Sequence, residues 1–212
     1  DITNFGSITV YDFTMNTASR SITRTSDGSS WTINGALRIY QGTVNFGSNT
    51  GSCIVNDSIA IASGGTLTLS NHANALTANG HFRIDGTLNA GTSTVTFAGS
   101  STQTLSGSAT PTFHNITVNA SSTLSLPASF TTIINGDFTI NGTLSANSTS
   151  TVRFAGNENT QAVSGSGTVT FGNIVVSKQN SRTELVLPTS LSYNNPLHFG
   201  HTNMTINNFT LD

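Results

Sequence analysis

Charge is scarce in this chain: seven Lys and Arg and nine Asp and Glu make up 8% of its 212 residues, against about 25% in an average soluble domain. Thr, Ser, Asn and Gly must therefore face water. Disordered chains combine low hydrophobicity with high net charge, whereas 35% of this chain is hydrophobic and its net charge is -2. A folded chain is expected, and its length allows a substantial core. The few cations are scattered from Arg20 to Arg182 without forming a basic stripe, which argues against nucleic acid as a partner.

Cysteine is nearly absent too. Cys53 stands alone, so no intrachain disulfide can form, and its expected role is that of a small buried apolar residue. No run of about 18 apolar residues is present, so no membrane-spanning helix is expected. Apolar residues at helical spacing are missing as well, which predicts almost no helix. The chain starts at Asp1 without Met, and the strand-like MTINNFTLD runs to Asp212. It reads as a segment of a longer array.

What the chain has in abundance is repetition. GHFRIDGTLNA from Gly80 matches GDFTINGTLSA from Gly136, 56 residues on, and VTFAG from Val95 matches VRFAG from Val152, 57 residues on. QTLSGS from Gln103 matches QAVSGS from Gln161, and TFHNITV from Thr112 matches TFGNIVV from Thr170, both at 58; LSLP from Leu124 matches LVLP from Leu185 at 61. Insertions accumulate between blocks, never inside them. The clear copies are 80–135 and 136–197, and a degenerate copy fills 1–79, where WTINGAL from Trp31 resembles TIINGDF from Thr132. One continuous domain over 1–212 is expected.

Within the blocks, apolar residues fall on alternate positions, as in Val95 and Phe97, Ile116 and Val118, Leu124 and Leu126, and Phe138 and Ile140. Period two marks a strand with one buried face, and the Thr, Val and Ile of these blocks suit it. Turn signals close the strands at Asn34-Gly35, Asn79-Gly80, Asp85-Gly86, Asn135-Gly136 and Asn141-Gly142.

Two all-β architectures compete for this pattern. Asn-Gly between alternating segments favours tandem antiparallel β-sandwiches of the immunoglobulin type. Against them, the strands are only about three to five residues long, shorter than usual, and Cys53 and Trp31 stand singly. A parallel right-handed β-helix, a β-solenoid, accommodates short strands because each coil stacks on the one below, with Gly or Asn taking corners at positive φ. This is the expected fold, its hand taken from the general behaviour of parallel crossovers. An offset of 56 fits three coils of about 19 residues or two of about 28, and the solenoid reading stacks Val95 and Val152 in one column. Asn and Thr at equivalent positions are expected to form hydrogen-bonded ladders.

The blocks NGTL, STVTFAGS, TQTLSGS and TFHNITV resemble the repeats of large secreted cell-surface proteins of bacteria, especially adhesin-like β-helix proteins of the Bacteroidetes group. The likeness covers Gly80 to Pro188 well and Asp1 to Phe46 weakly. It implies export to the cell surface and a structural or adhesive role. It carries over no functional residue, because the motif is structural.

No catalytic, metal-binding or cofactor-binding residue is expected. Polysaccharide-cleaving β-helices gather carboxylates with Arg or Lys on one face, but Asp85 and Asp137 match Asn141 and His81 in the repeat, so they are not equivalent. Glu158 fits the repeat loosely, Glu184 sits in an insertion, and Asp85 beside Gly86 reads as a turn residue. His198-Phe199-Gly200-His201 has the spacing of part of a metal site without a second Cys or paired carboxylate to support it. His72, His81 and His114 read as structural. An ice-binding solenoid is a remote alternative, suggested by Thr94-x-Thr96, Thr102-x-Thr104 and Thr110-x-Thr112; their spacing of eight is too short for one pair per coil, and Arg153 and Ala162 replace two of these threonines in the second copy. Seven N-x-[ST] triplets between Asn56 and Asn208 and the O-glycosylation-like Asp57-Ser58-Ile59 are what chance produces in a chain this rich in Asn, Ser and Thr.

The runner-up to a structural role is a carbohydrate-binding or polysaccharide-cleaving β-helix. Exposed aromatics would distinguish it, because sugar rings stack on them. Tyr11, Trp31 and Tyr40, all in the degenerate first copy, are the candidate ligand-facing aromatics. The expected partners are neighbouring coils of the same chain or filament and, for the runner-up, surface polysaccharide.

Overall fold

A short strand with one apolar face cannot stand alone in water, and this chain solves the problem by stacking. The computed structural model describes residues 2–3, 6–24, 28–47, 50–69, 71–72, 75–157, 160–177, 184–186, 192–193 and 198–199, and these hold 25 strands and no helix. Burial alternates strictly along Thr94–Phe97, Asn115–Val118, Thr123–Leu126 and Thr131–Ile134. Val95 pairs with Leu76 on one side and Ile116 on the other, and Ile116 pairs in turn with Phe138, always in parallel. The fold is a parallel β-solenoid. Tandem antiparallel sandwiches are excluded, and one hydrophobic cluster runs along the axis from Met15 to Leu185.

Three strands close a coil and create three faces. The first face is a nine-stranded sheet from Ile8–Val10 to Glu184–Val186. The second carries Phe82–Ile84, Thr102–Ser106, Thr123–Leu126, Thr143–Ala146 and Thr168–Phe171; the third carries Thr112–Phe113, Thr131–Ile134, Thr151–Phe154 and Asn173–Val176. In the first coils these two faces form one bent ribbon, because Phe13–Thr23, Leu37–Asn45 and Ile59–Thr68 each turn a corner within a single strand. The leading end of Ile59–Thr68 pairs with Phe82–Ile84 and its trailing end with Thr87–Asn89. A coil advances by 19 residues from Leu76 to Val95 and by 25 from Phe138 to Val163.

The repeat in the sequence does not coincide with the coil. Phe82 and its counterpart Phe138 lie in strands eight apart in chain order. Since three strands make a coil, eight are not a whole number of coils, and each copy is displaced by one face. Val95 lies on the first face, while Val152 lies on the third, paired with Thr132 and Ile174. The expected Val95–Val152 column does not exist, and neither coil length deduced from the offset is correct. The local unit nevertheless survives the displacement: Phe82 meets Phe113 edge-on at a ring-centroid distance of 6.4 Å, and their counterparts Phe138 and Phe171 do so at 6.3 Å.

The corners need glycine for a different reason from the one expected. None of the glycines in the five Asn-Gly and Asp-Gly turns has a positive φ. Instead the stacked coils press close: a Cβ on Gly80 would lie 2.4 Å from the Asp57 carbonyl oxygen, and one on Gly142 would lie 2.2 Å from that of Asn119. The expected ladder is present at one corner, where Asn56 Nδ2 donates to Asn34 Oδ1 at 3.2 Å and Asn79 Nδ2 donates to Asn56 Oδ1 at 2.8 Å. Each rung binds the next without any charge to repel its neighbour.

Candidate functional site

Alternation decides which side chains can meet a ligand. Trp31 shares the inward side of its strand with Ile33 and is 0% exposed, with ring centroids 5.4 Å from Phe13 and 5.5 Å from Phe46. It is a core residue, which corrects its place among the ligand-facing aromatics. The pattern Trp31-x-Ile33 already held that signal. Tyr11 and Tyr40 are 76% and 47% exposed. They do not converge, because Tyr11 follows the first-face strand Ile8–Val10 while Tyr40 sits where Leu37–Asn45 bends from the second face to the third.

The outward positions form columns of hydroxyls. On the first face Thr9, Thr32, Ile54, Thr77, Thr96, Thr117 and Thr139 stand in register. On the second, Thr102, Thr123, Thr143 and Thr168 do the same. The Thr pairs spaced by eight are thus distributed one to a face, with Thr94 and Thr96 on the first, Thr102 and Thr104 on the second and Thr112 on the third.

The regular section is broken at the corner between the second and third faces of the first coils. Asn16 pairs with Gln41 and then Ser21 with Thr43, so the first of these coils spends five residues where the next spends two. The surplus overhangs its neighbour. Ser19 takes a φ of 58°, unusual for a residue with a side chain, and Gly42 takes 82°. A Cβ on Gly42 would lie 2.3 Å from the Thr17 carbonyl oxygen, so only glycine lets the overhang settle. Beneath it lies an open groove of about 700 Å³, whose lining includes Arg20, Tyr40, Gln41, Thr43, Ser63 and Thr66. A second depression of about 580 Å³, between Ala98, Asn119, Asn141 and Ser166, carries neither charge nor aromatic ring.

The remaining polar groups are engaged in holding coils together. Gln103 is buried, donating through Nε2 to the carbonyls of Ala78 at 2.8 Å and Gly80 at 2.9 Å and accepting from Gly99 N–H through Oε1. Its counterpart Gln161 donates to the carbonyls of Ile134 and Gly136, one face away. These two plugs are the polar residues that sequence reasoning missed. Gln103-x-Leu105 places the amide on the apolar side, and that was the available signal. Thr104 N–H donates to His81 Nδ1 at 3.0 Å, while at the equivalent place Ala162 N–H donates to Asp137 Oδ1 at 2.8 Å. A histidine and a carboxylate thus perform one structural task.

Asp85 is similarly occupied. Its hydrogen bond from Arg83, with help from the Ser108 backbone N–H, holds its carboxyl below the usual carboxylate range. Asp85 and Asp137 lie on separate faces of the chain's course and do not form a catalytic pair: Asp85 follows Phe82–Ile84 on the second, and Asp137 precedes Phe138–Ile140 on the first. Among the described residues, no three His, Cys, Asp or Glu side chains gather as metal ligands would. Glu158 and His201 lie outside the described residues, as do the side chains of Glu184 and His198.

Cys53 is buried beside the guanidinium of Arg24, as its apolar reading anticipates. Burial pushes its thiol up to about 12 against the opposing pull of Arg24. A thiol reagent at about pH 8 is therefore expected to label the folded chain only as fast as it opens, and the denatured chain at once. Rapid labelling of the folded protein would contradict the buried placement. An unfolded thiol ionises near ~8.5. Stability is complete below that value and falls as pH rises through it towards about 12.

Fold and surface together define the class: a three-faced parallel β-solenoid with a dry core, hydroxyl-lined faces and one irregular corner. Comparison of the chain with protein-family models, with curated proteins and with solved structures finds no match in any of the three.

Proposed function

We propose that this chain is a structural and adhesive stalk module of a large secreted or cell-surface protein. The observation that supports this reading is the displaced repeat. Each eight-strand unit adds length through rung-to-rung pairing, and its displacement by one face spreads the same polar residues around the axis rather than concentrating them in one site. Coils rise about 4.8 Å each, so the nine strands of the first face span roughly 40 Å. The likeness of its blocks to bacterial adhesin repeats points the same way. Asp85 and Asp137, which a cleaving enzyme would need free, are engaged with neighbouring backbone.

The test is immunogold labelling of intact source cells with an antibody raised to this segment, together with attachment of cells whose parent protein lacks it. Surface label and reduced attachment are the expected results. Label only after permeabilisation would overturn the surface placement, and unchanged attachment would overturn the adhesive role.

A further inference from the structure

We propose that the groove beneath the Asn16–Arg20 overhang is a binding subsite for a carboxylate-bearing saccharide, a short run of uronic acid residues within a polysaccharide chain. The proposal goes beyond the stalk reading and does not depend on it.

The charge at this corner sets it apart from the rest of the surface. Arg38 is engaged with Asp12, Arg83 with Asp85, and Arg24 is buried against backbone carbonyls. Arg20 is exposed, lines the groove, and among the described residues has no carboxylate within ion-pair distance. No lining residue is acidic. The groove thus holds a cation in a chain that has very few, and a guanidinium fork matches a carboxylate in two parallel hydrogen bonds.

The rest of the lining suits a sugar. Tyr40 offers an aromatic ring with a polar tip, Gln41 supplies both a donor and an acceptor, and Thr43, Ser63 and Thr66 supply hydroxyls. The volume falls in the range of small-ligand sites, roughly 300–1,000 Å³. The groove is open and crosses three successive coils, about 10 Å along the axis. That shape admits a chain passing through, not an enclosed metabolite. One arginine is too few for a nucleic acid, whose affinity comes from many phosphate contacts.

The experiment titrates the whole chain with a uronic acid hexasaccharide and with a neutral hexasaccharide, by calorimetry and by amide chemical shifts. The acidic sugar is expected to bind and to shift amides of residues 18–21, 40–43 and 63–66. Added salt should weaken it. Arg20→Gln should reduce its affinity about tenfold or more, the size of one charge-assisted hydrogen bond, and Tyr40→Ala should weaken it several-fold. Tyr11→Ala, at the other corner, should change nothing. Both groove side chains are exposed, and unchanged melting of the variants establishes that they fold. No binding of the acidic sugar, equal binding of the neutral one, or equal loss in Tyr11→Ala would each overturn the proposal. Surface labelling of cells reads the stalk proposal separately.

Discussion

Replacing Arg24 by Leu is expected to cost about 4 kcal/mol of folding stability, as several buried backbone acceptors lose their donor together. Arg24 follows directly on Phe13–Thr23 at the corner leading back to the first face, and it is 0% exposed. Its guanidinium donates to the carbonyls of Ser29 at 3.1 Å, Ser52 at 3.0 Å and Phe46 at 3.3 Å, and to that of Gly51. It also lies over the Phe46 ring, 5.4 Å from the centroid. One side chain therefore ties the connection that leads into Trp31–Ile33 to the connection that leads into Cys53–Val55. Leu fills similar space without a buried charge, so the loss isolates the unsatisfied carbonyls. Arg24→Lys should recover only part of it, because an ammonium lacks the planar fork. Urea unfolding measures the loss, and faster thiol labelling of Cys53 in Arg24→Leu would show that this corner opens first. A change below about 1 kcal/mol would mean that the carbonyls find other donors.

Gly107→Ala and Gly165→Ala are each expected to cost about 3 kcal/mol, and by nearly the same amount. The two glycines occupy equivalent places in the repeat, with φ of 135° and 116°. A Cβ would lie 1.9 Å from the Ile84 carbonyl oxygen in one and 2.1 Å from the Ile140 carbonyl oxygen in the other, and Ile84 and Ile140 are themselves counterparts. Both penalties arise from the same contact on different faces. Gly6→Ala, where an added Cβ meets nothing within 4 Å, is the control and should stay within about 0.5 kcal/mol of the parent. Thermal unfolding of the three variants decides it. A large difference between Gly107→Ala and Gly165→Ala would contradict the displaced repeat.

Much of this was legible in the residues. Alternation in STVTF and NITV determined the strands, because a side chain two positions on returns to the same face whatever the tertiary context. The same parity, applied to Trp31-x-Ile33, Ile22-x-Arg24 and Gln103-x-Leu105, predicts that Trp31, Arg24 and Gln103 point inward, as they do. Repetition with insertions confined to the gaps favoured coils over sandwiches, and the parallel pairing agrees. The groove left almost no trace, because Ala18, Ser19 and Arg20 have no counterpart in the coil above and so belong to no pattern.

The sequence by itself determined that strands are short, one-sided and repeated every eight, since these follow from local parity and turn chemistry. Only the tertiary structure decided which strands lie over which. The number of strands in a coil depends on the angle at each corner. That angle is set where Phe82 meets Phe113 across the shared core and where Gly80 lies against the Asp57 carbonyl of the coil below. Contacts between residues distant in the chain leave no period in it, and so Val95 and Val152, nearly identical in their surroundings, came to lie on different faces.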